Sequence, residues 1–347
     1  MATWTDKAKH AANTLFEENK ESITGKVFSQ IFDDKGGSGT GGVGSGHQYV
    51  DLVCEGGGML GIALVGYTYI LEKAGIRFRS IAGTSAGAIN ALMLASIKVE
   101  PESGIKSSIL LEIMGKKNFF DFVDGHQNAN SVRKIINKAL KGSRWGLLAN
   151  PIALYHCYNN IQSHYGLNAG ENFYHWIDSN LHALECTSVG QLTQRMNEFP
   201  SLKKRNNSEA GHVTFNPPKN YGQLKVVAAD ITTESRAIFP QHTNVYFQNP
   251  TEVKLAEFVR ASMSIPVFFS PYEANSPSQD LSVWETERDI CEADFPDKQP
   301  PKQVFFVDGG MMSNFPFDLL HKPSGKPDIP TFGVKLETDY RFQKFNG

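Results

Sequence analysis

Strand, glycine turn and helix, twice over within residues 48–97, predict an α/β fold with a mostly parallel central sheet. Three observations carry this reading. Tyr49-Val50-Asp51-Leu52-Val53-Cys54 and Phe78-Arg79-Ser80-Ile81-Ala82 are short, β-rich, largely apolar runs of the kind that form buried parallel strands. Each ends in a glycine turn, Gly56-Gly57-Gly58-Met59-Leu60-Gly61 and Gly83-Thr84-Ser85-Ala86-Gly87. Helical segments follow at 62–74 and 86–97, so the two turns lie at the spacing of a βαβ unit.

Before this unit, residues 5–34 have a helical rhythm in Leu15, Phe16, Ile23, Val27, Phe28, Ile31 and Phe32, with charges between them. They read as an amphipathic arm over 1–35, either packed on the main domain or a sister subunit, or serving as a membrane-contacting or regulatory element. Residues 36–47 are glycine- and serine-rich, a tether that predicts an arm mobile relative to the main domain. Beyond the βαβ unit, residues 101–220 are more helical and polar, with aromatic clusters at Leu154–Tyr158 and Phe173–Ile177. Gln223–Ala229 returns as an apolar strand ending at Asp230, and Val253–Met263 has helical spacing. Val304–Val307 is a strand running into Asp308-Gly309-Gly310, and Phe332–Leu336 is a last strand.

Composition bounds the function. The chain has 347 residues, enough for one large or two ordinary domains, and a formal charge of −2, which gives no electrostatic reason to expect a nucleic acid partner. Cys54, Cys157, Cys186 and Cys291 are far apart with no CxxC pair, which predicts reduced thiols and neither a disulfide frame nor a zinc site. The first residues lack a basic start and apolar stretch, and no apolar run approaches the roughly 20 residues of a membrane span. A cytoplasmic protein is the expectation.

The glycine turns carry the chemistry. A serine hydroxyl needs a base to take its proton and donors to hold the oxyanion it creates. In Gly83-Thr84-Ser85-Ala86-Gly87 the small neighbours permit a sharp strand-to-helix turn that aims Ser85 at a substrate. Gly56–Gly61 also fits the dinucleotide pattern G-x-G-x-x-G, which expects an acidic residue at the end of the next strand. Ile76–Ala82 has none, so the glycines are better used to expose successive N–H groups to a developing oxyanion. Asp308 ends a strand where α/β active sites gather, although an isolated Asp-Gly-Gly also reads as a plain turn. In a Ser…Asp…His triad only His321 follows Asp308, in a polar turn typical of a solvated side chain. Asp230 reads as a turn-stabilising residue, and Arg260 as the partner of a carboxylate or of a headgroup phosphate.

In this order the three glycine motifs resemble those of the patatin-like phospholipases: GGGxxG, GxSxG and a late Asp-Gly-Gly. Val226–Ile231, Val259–Phe269 and Met311–Pro316 also resemble blocks of that family, so the likeness covers most of 48–336. It implies a three-layer α/β/α patatin-like fold, with an acyl hydrolase domain over 48–347 and a flanking or lid region at 101–220. It further implies a Ser–Asp dyad, with Ser85 as nucleophile and Asp308 as base, and an oxyanion hole from Gly56, Gly57, Gly58 and Met59. Gly83 and Gly87 would shape the nucleophile elbow, and Gly309 and Gly310 would complete the third motif. No metal or cofactor is implied. The substrate would be a phospholipid at a membrane surface, met by peripheral contact. Where relatives often carry Arg or Lys, this chain has Leu60, which bears on headgroup preference. Some members are toxins or defence effectors switched on by an activator, so a small-molecule or protein activator is a further expectation here, as is a homo-oligomer. A lipid-binding or ligand-sensing module with little activity is the alternative reading.

Overall fold

The computed structural model of the chain describes residues 4–23, 26–33, 46–98, 105–126, 128–140, 151–198, 200–205, 212–215, 222–321, 327 and 329–336. All but the last two residues of the glycine-rich tether expected at 36–47 lie outside them. Among the described residues the strands are β1 (Ile31–Phe32), β2 (Gln48–Cys54), β3 (Ile76–Thr84), β4 (Gly166–Asn168), β5 (Lys203–Arg205) and β6 (His212–Thr214), followed by β7 (Leu224–Asp230), β8 (Ser235–Phe239), β9 (Val267–Phe269), β10 (Tyr272–Ala274), β11 (Val304–Asp308) and β12 (Thr331–Val334). The fold is mixed α/β, a central sheet flanked by helices, as the alternating pattern predicts.

The sheet is not mostly parallel as expected: only its centre, β12-β2-β3-β7, is parallel. Around it the ladders are antiparallel: β1 on β2, β5 on β1, β6 on β5, β8 and β11 on β7, and β10 on β11. Chain connectivity explains part of this. Only residues 231–234 separate β7 from β8, a hairpin turn far too short for a parallel crossover. β4 and β9 form a separate parallel pair.

Strand β3 is buried at every position, as befits a strand covered on both faces. The helix that follows it, α3 (Ala86–Ser96), has no charged residue and is buried along its whole length against β3 and β7. Pairing on β7 then decides where the functional side chains meet. Val227 pairs with both Ile238 of β8 and Thr84 of β3, while Ala228 pairs with both Ala237 of β8 and Asp308 of β11. Strands β3 and β11 therefore share the flank of β7 opposite β8. They run in opposite directions and their C-terminal ends meet head to head, one β7 residue apart.

The amphipathic arm departs from expectation. Helix α1 (Trp4–Ile23) ends eleven residues before the helical rhythm does, and Ile31–Phe32 enter the main sheet as β1. The spacing of Val27, Phe28, Ile31 and Phe32 fits a helix, yet Ile31 and Phe32 are buried through strand pairing with β2 and β5. Helix α1 itself is docked on α2 (Ile62–Lys73) and α4 (Lys106–Gly115). Phe16 is buried, Asn13 Oδ1 accepts bonds from Lys73 Nζ at 2.6 Å and Tyr69 Oη at 3.2 Å, and Lys9 pairs with Glu112 at 2.8 Å. Burial of Phe16 alone is worth about 2 kcal/mol. A chain starting at Gly46, which also loses β1, is expected to melt at a lower temperature than the full chain, as differential scanning fluorimetry would show. An unchanged melting temperature would mean that the arm adds nothing to the fold.

Candidate active site

Ser85 is the junction between β3 and α3, and it adopts φ 54° and ψ −121°, a conformation that non-glycine residues avoid. Such strain persists only where the surroundings over-determine it. Here the Ser85 N–H donates to Ser262 Oγ at 2.9 Å, its carbonyl accepts the Ala88 N–H at 2.9 Å, and Thr84 Oγ1 donates to Ser313 O at 2.8 Å. Gly83 and Gly87 are required by contact. A Cβ on Gly83 would collide with the Gly87 carbonyl, and one on Gly87 with the Cys54 carbonyl. The elbow thus forms only if both stay glycine.

The buried Ser85 hydroxyl donates to Asp308 Oδ2 at 2.5 Å, with Met263 Sδ 3.2 Å from the same hydroxyl oxygen. The other carboxylate oxygen, Asp308 Oδ1, accepts the Gly310 N–H at 2.7 Å. The Asp308 and Gly309 N–H groups are tied to the Ser264 and Ser262 carbonyls at 2.9 and 3.2 Å. Burial raises the Asp308 pKa above the ordinary carboxylate value, and the hydrogen bonds from Ser85 and Gly310 oppose that rise. A carboxylate held in this way is a stronger proton acceptor than a solvated one.

The first glycine turn lies against the serine. Gly56 packs on Ser85 Cβ, and Asn314 straps the turn, its carbonyl accepting the Gly56 N–H at 2.9 Å and its Nδ2 donating to Gly56 O at 3.2 Å. This corrects one expected role: the Gly56 N–H is already committed and is not a free oxyanion donor. Gly58 has φ +53°, the left-handed region that favours glycine, as the chain enters a short 3₁₀ turn at Gly58–Gly61. Leu60 N–H closes that turn on Gly57 O. Among the described residues, no acceptor takes the N–H groups of Gly57, Gly58 or Met59. The positive end of α3 adds to the field at the same point.

Other candidates are placed elsewhere. His321 is exposed, with its ring against Phe317, and among the described residues no histidine bonds to Ser85 or Asp308. Asp230 holds a turn, accepting from the Thr232 and Thr233 N–H groups, Thr233 Oγ1 and Tyr246 Oη. Arg260 is buried but pairs with no carboxylate among the described residues. It donates to Ser264 Oγ at 2.6 Å, Ala169 O at 2.5 Å and Ser270 O at 3.0 Å. In place of the expected ion pair the guanidinium bonds to neutral acceptors, one of them on Ser264, whose carbonyl holds the Asp308 N–H.

Ser262 is a site residue that sequence reasoning did not single out. Its hydroxyl accepts from Ser85 N and donates to Val227 O at 2.6 Å, while its carbonyl accepts from Gly309 N. It therefore fastens both Ser85 and the Asp308-Gly309 turn to β7. All three segments that form the site continue into exposed apolar side chains: Met59 and Leu60, Met311 and Met312, and Val267.

The family model for patatin-like phospholipases matches residues 52–321. A curated relative, the uncharacterized protein YqhO of Bacillus subtilis (strain 168), is 28% identical over 289 residues, spanning 83% of this chain and 72% of its own. The crystal structure of VipD from Legionella pneumophila aligns at 17% identity and a TM-score of 0.37 over 86% of this chain. The chain spans about half of that structure's length, 52%.

Proposed function

The chain belongs to the patatin-like phospholipase family, whose chemistry is lipid ester hydrolysis, and from that premise we propose that it is a phospholipase A-type acyl hydrolase working through a Ser85–Asp308 dyad. The observation that carries the reading is the direct 2.5 Å bond between Ser85 Oγ and Asp308 Oδ2, with no imidazole between them. Asp308 accepts the Ser85 proton as Oγ attacks the acyl carbonyl. The N–H groups of Gly57, Gly58 and Met59 hold the oxyanion, aided by the α3 N-terminus. Collapse of the tetrahedral intermediate expels the lysolipid alkoxide, which takes the proton back from Asp308 and leaves an acyl ester on Ser85. Asp308 then deprotonates a water, which attacks the ester. The proton returns to Ser85 Oγ as the fatty acid leaves.

The apolar rim of Met59, Leu60, Met311 and Met312 supports a substrate presented from a lipid surface. Leu60 puts no cation beside the oxyanion turn, so headgroup phosphate is not recognised at that position. No helix of the described residues is long and apolar enough to cross a membrane, so the reading places the enzyme at the bilayer by peripheral contact.

The deciding experiment is incubation with a mixed glycerophospholipid extract and mass spectrometry of the products. Equimolar free fatty acid and lysolipid are expected, and release of headgroup or phosphatidic acid would refute the reading. The competing triad makes a separate prediction. His321→Ala is expected to keep fatty-acid release within about threefold of the unmodified chain. Loss of activity with an intact fold would restore histidine as the base.

A further inference from the structure

The methionines of this chain are unevenly placed. Of the eight, Met1 lies outside the described residues, and Met93, Met114, Met196 and Met263 are at most 8% exposed. The other three, Met59, Met311 and Met312, are 68%, 66% and 49% exposed. All three stand on the two glycine turns that flank Ser85. Met59 is in the 3₁₀ turn Gly58–Gly61, and Met311 and Met312 are in the short helix Gly310–Ser313 that follows Asp308 and Gly309. Asn314 ties the turns together, its carbonyl accepting the Gly56 N–H at 2.9 Å and its Nδ2 donating to Gly56 O at 3.2 Å. The exposed thioethers therefore share one rim with Leu60.

An apolar rim needs no sulfur, since leucine would present a comparable surface. A thioether differs in being open to a two-electron oxidant. The sulfur gives an electron pair to one oxygen of a hydroperoxide, so an S–O bond forms as the O–O bond breaks. With hydrogen peroxide the departing hydroxide takes the proton left on the transferred oxygen and becomes water; sulfur is oxidised and the peroxide is reduced. The sulfoxide is polar and chiral, so each conversion replaces an apolar side chain at the rim with a hydrated one. Exposure sets the order of reaction. Met263, whose sulfur is 3.2 Å from Ser85 Oγ, is buried, so the rim oxidises while the catalytic pair is untouched.

We propose that Met59, Met311 and Met312 form an oxidative modification site, at which a peroxide turns off hydrolysis of lipid held in a bilayer and leaves the Ser85–Asp308 chemistry intact. This rests on the lipid-hydrolase reading. The change is reversible, because methionine sulfoxide reductases return each epimer to the thioether.

The test uses the full chain with Cys291→Ser, which removes the exposed thiol and leaves the buried Cys54, Cys157 and Cys186. After hydrogen peroxide, peptide mass spectrometry is expected to find one added oxygen on each rim methionine before any appears on the buried four. Fatty-acid release from vesicles of a mixed glycerophospholipid extract should then fall at least about tenfold, the scale of withdrawing one methionine side chain from an apolar phase. Hydrolysis of a soluble short-chain ester should stay within about twofold of the untreated rate, since transition-state contacts are unchanged. Methionine sulfoxide reductases A and B together should restore the vesicle rate, and dithiothreitol should not. Met59→Leu with Met311→Leu and Met312→Leu keeps an apolar rim without sulfur, and its vesicle rate should not respond to peroxide when compared with its own untreated sample.

The proposal is overturned if the buried methionines oxidise first, or if vesicle hydrolysis persists with all three sulfoxides in place. It is also overturned if the leucine variant loses activity equally, or if ester hydrolysis falls in parallel, which would put the damage in the catalytic centre. A chain that hydrolyses neither substrate before treatment refutes the hydrolase reading alone. Co-sedimentation of the Ser85→Ala, Cys291→Ser protein with the same vesicles then decides the site: binding at least about tenfold weaker after oxidation is expected. Equal binding, or none in either sample, overturns it.

Discussion

Ser85→Ala is expected to lower fatty-acid release by at least about 10⁴-fold, the scale seen when a serine nucleophile is deleted from an otherwise intact site. Labelling by a fluorophosphonate should disappear with it. Both follow from a single atom: the hydroxyl that bonds to Asp308 is the one poised at the start of α3 to attack a carbonyl. The fold should survive, because the bonds that hold the elbow run through the Ser85 backbone to Ser262 Oγ and Ala88 N and not through its side chain. Residual probe labelling in the alanine variant would place the nucleophile elsewhere.

Asp308→Asn should be as damaging to catalysis, since an amide cannot accept the Ser85 proton. Its effect on stability should have the opposite sign. Burial raises the pKa of Asp308, so the folded protein holds this proton more tightly than the unfolded chain does. Below the unfolded value both states are protonated and the carboxyl costs nothing. As pH rises through the folded pKa the folded state must accept a desolvated charge, and from there upward the full cost is present. An amide removes that cost, its one oxygen still accepting the Gly310 N–H while its NH2 donates to Ser85 Oγ, reversing the direction of that bond. The asparagine variant is therefore expected to melt at a higher temperature than the native chain at pH 7, and the difference should shrink as pH falls through the raised pKa. In the native enzyme the acid limb of kcat/KM should lie above the ordinary carboxylate value of about 4. A melting temperature at pH 7 below that of the native chain would show that the carboxylate contributes to stability.

The parts of the site that could be read in the sequence are those whose geometry is local. A strand ending in Gly-Thr-Ser-Ala-Gly can do little except turn sharply, and the contacts at Gly83 and Gly87 show why no larger residue fits. Asp308-Gly309-Gly310 was legible for the same reason, and the two strands that deliver the pair were visible as apolar runs. What was hidden depends on partners distant in sequence. Ser262 is a small residue in a helical stretch, and nothing local says that its two oxygens fasten both halves of the site. The Gly56 N–H looks like any other donor in the turn until Asn314, 258 residues away, is seen to occupy it. Arg260 suggested a carboxylate or phosphate partner, whereas its hydrogen bonds go to two carbonyls and a hydroxyl supplied by residues 169, 264 and 270. The arm misled because Val27, Phe28, Ile31 and Phe32 satisfy helical spacing, and pairing with β2 and β5 overrides that local signal. Gly25 was the stop signal available to the eye.

The head-to-head meeting of β3 and β11 has a consequence for truncated forms of the chain. Ser85 and Asp308 are separated by 223 positions and are brought together only where β3 and β11 both pair with β7. A product truncated before residue 304 keeps the Ser85 hydroxyl and lacks the carboxylate to which it bonds. If the proposed dyad holds, activity therefore depends on β11 reaching β7, and a fragment lacking it is expected to be inert however well its β3–α3 turn forms.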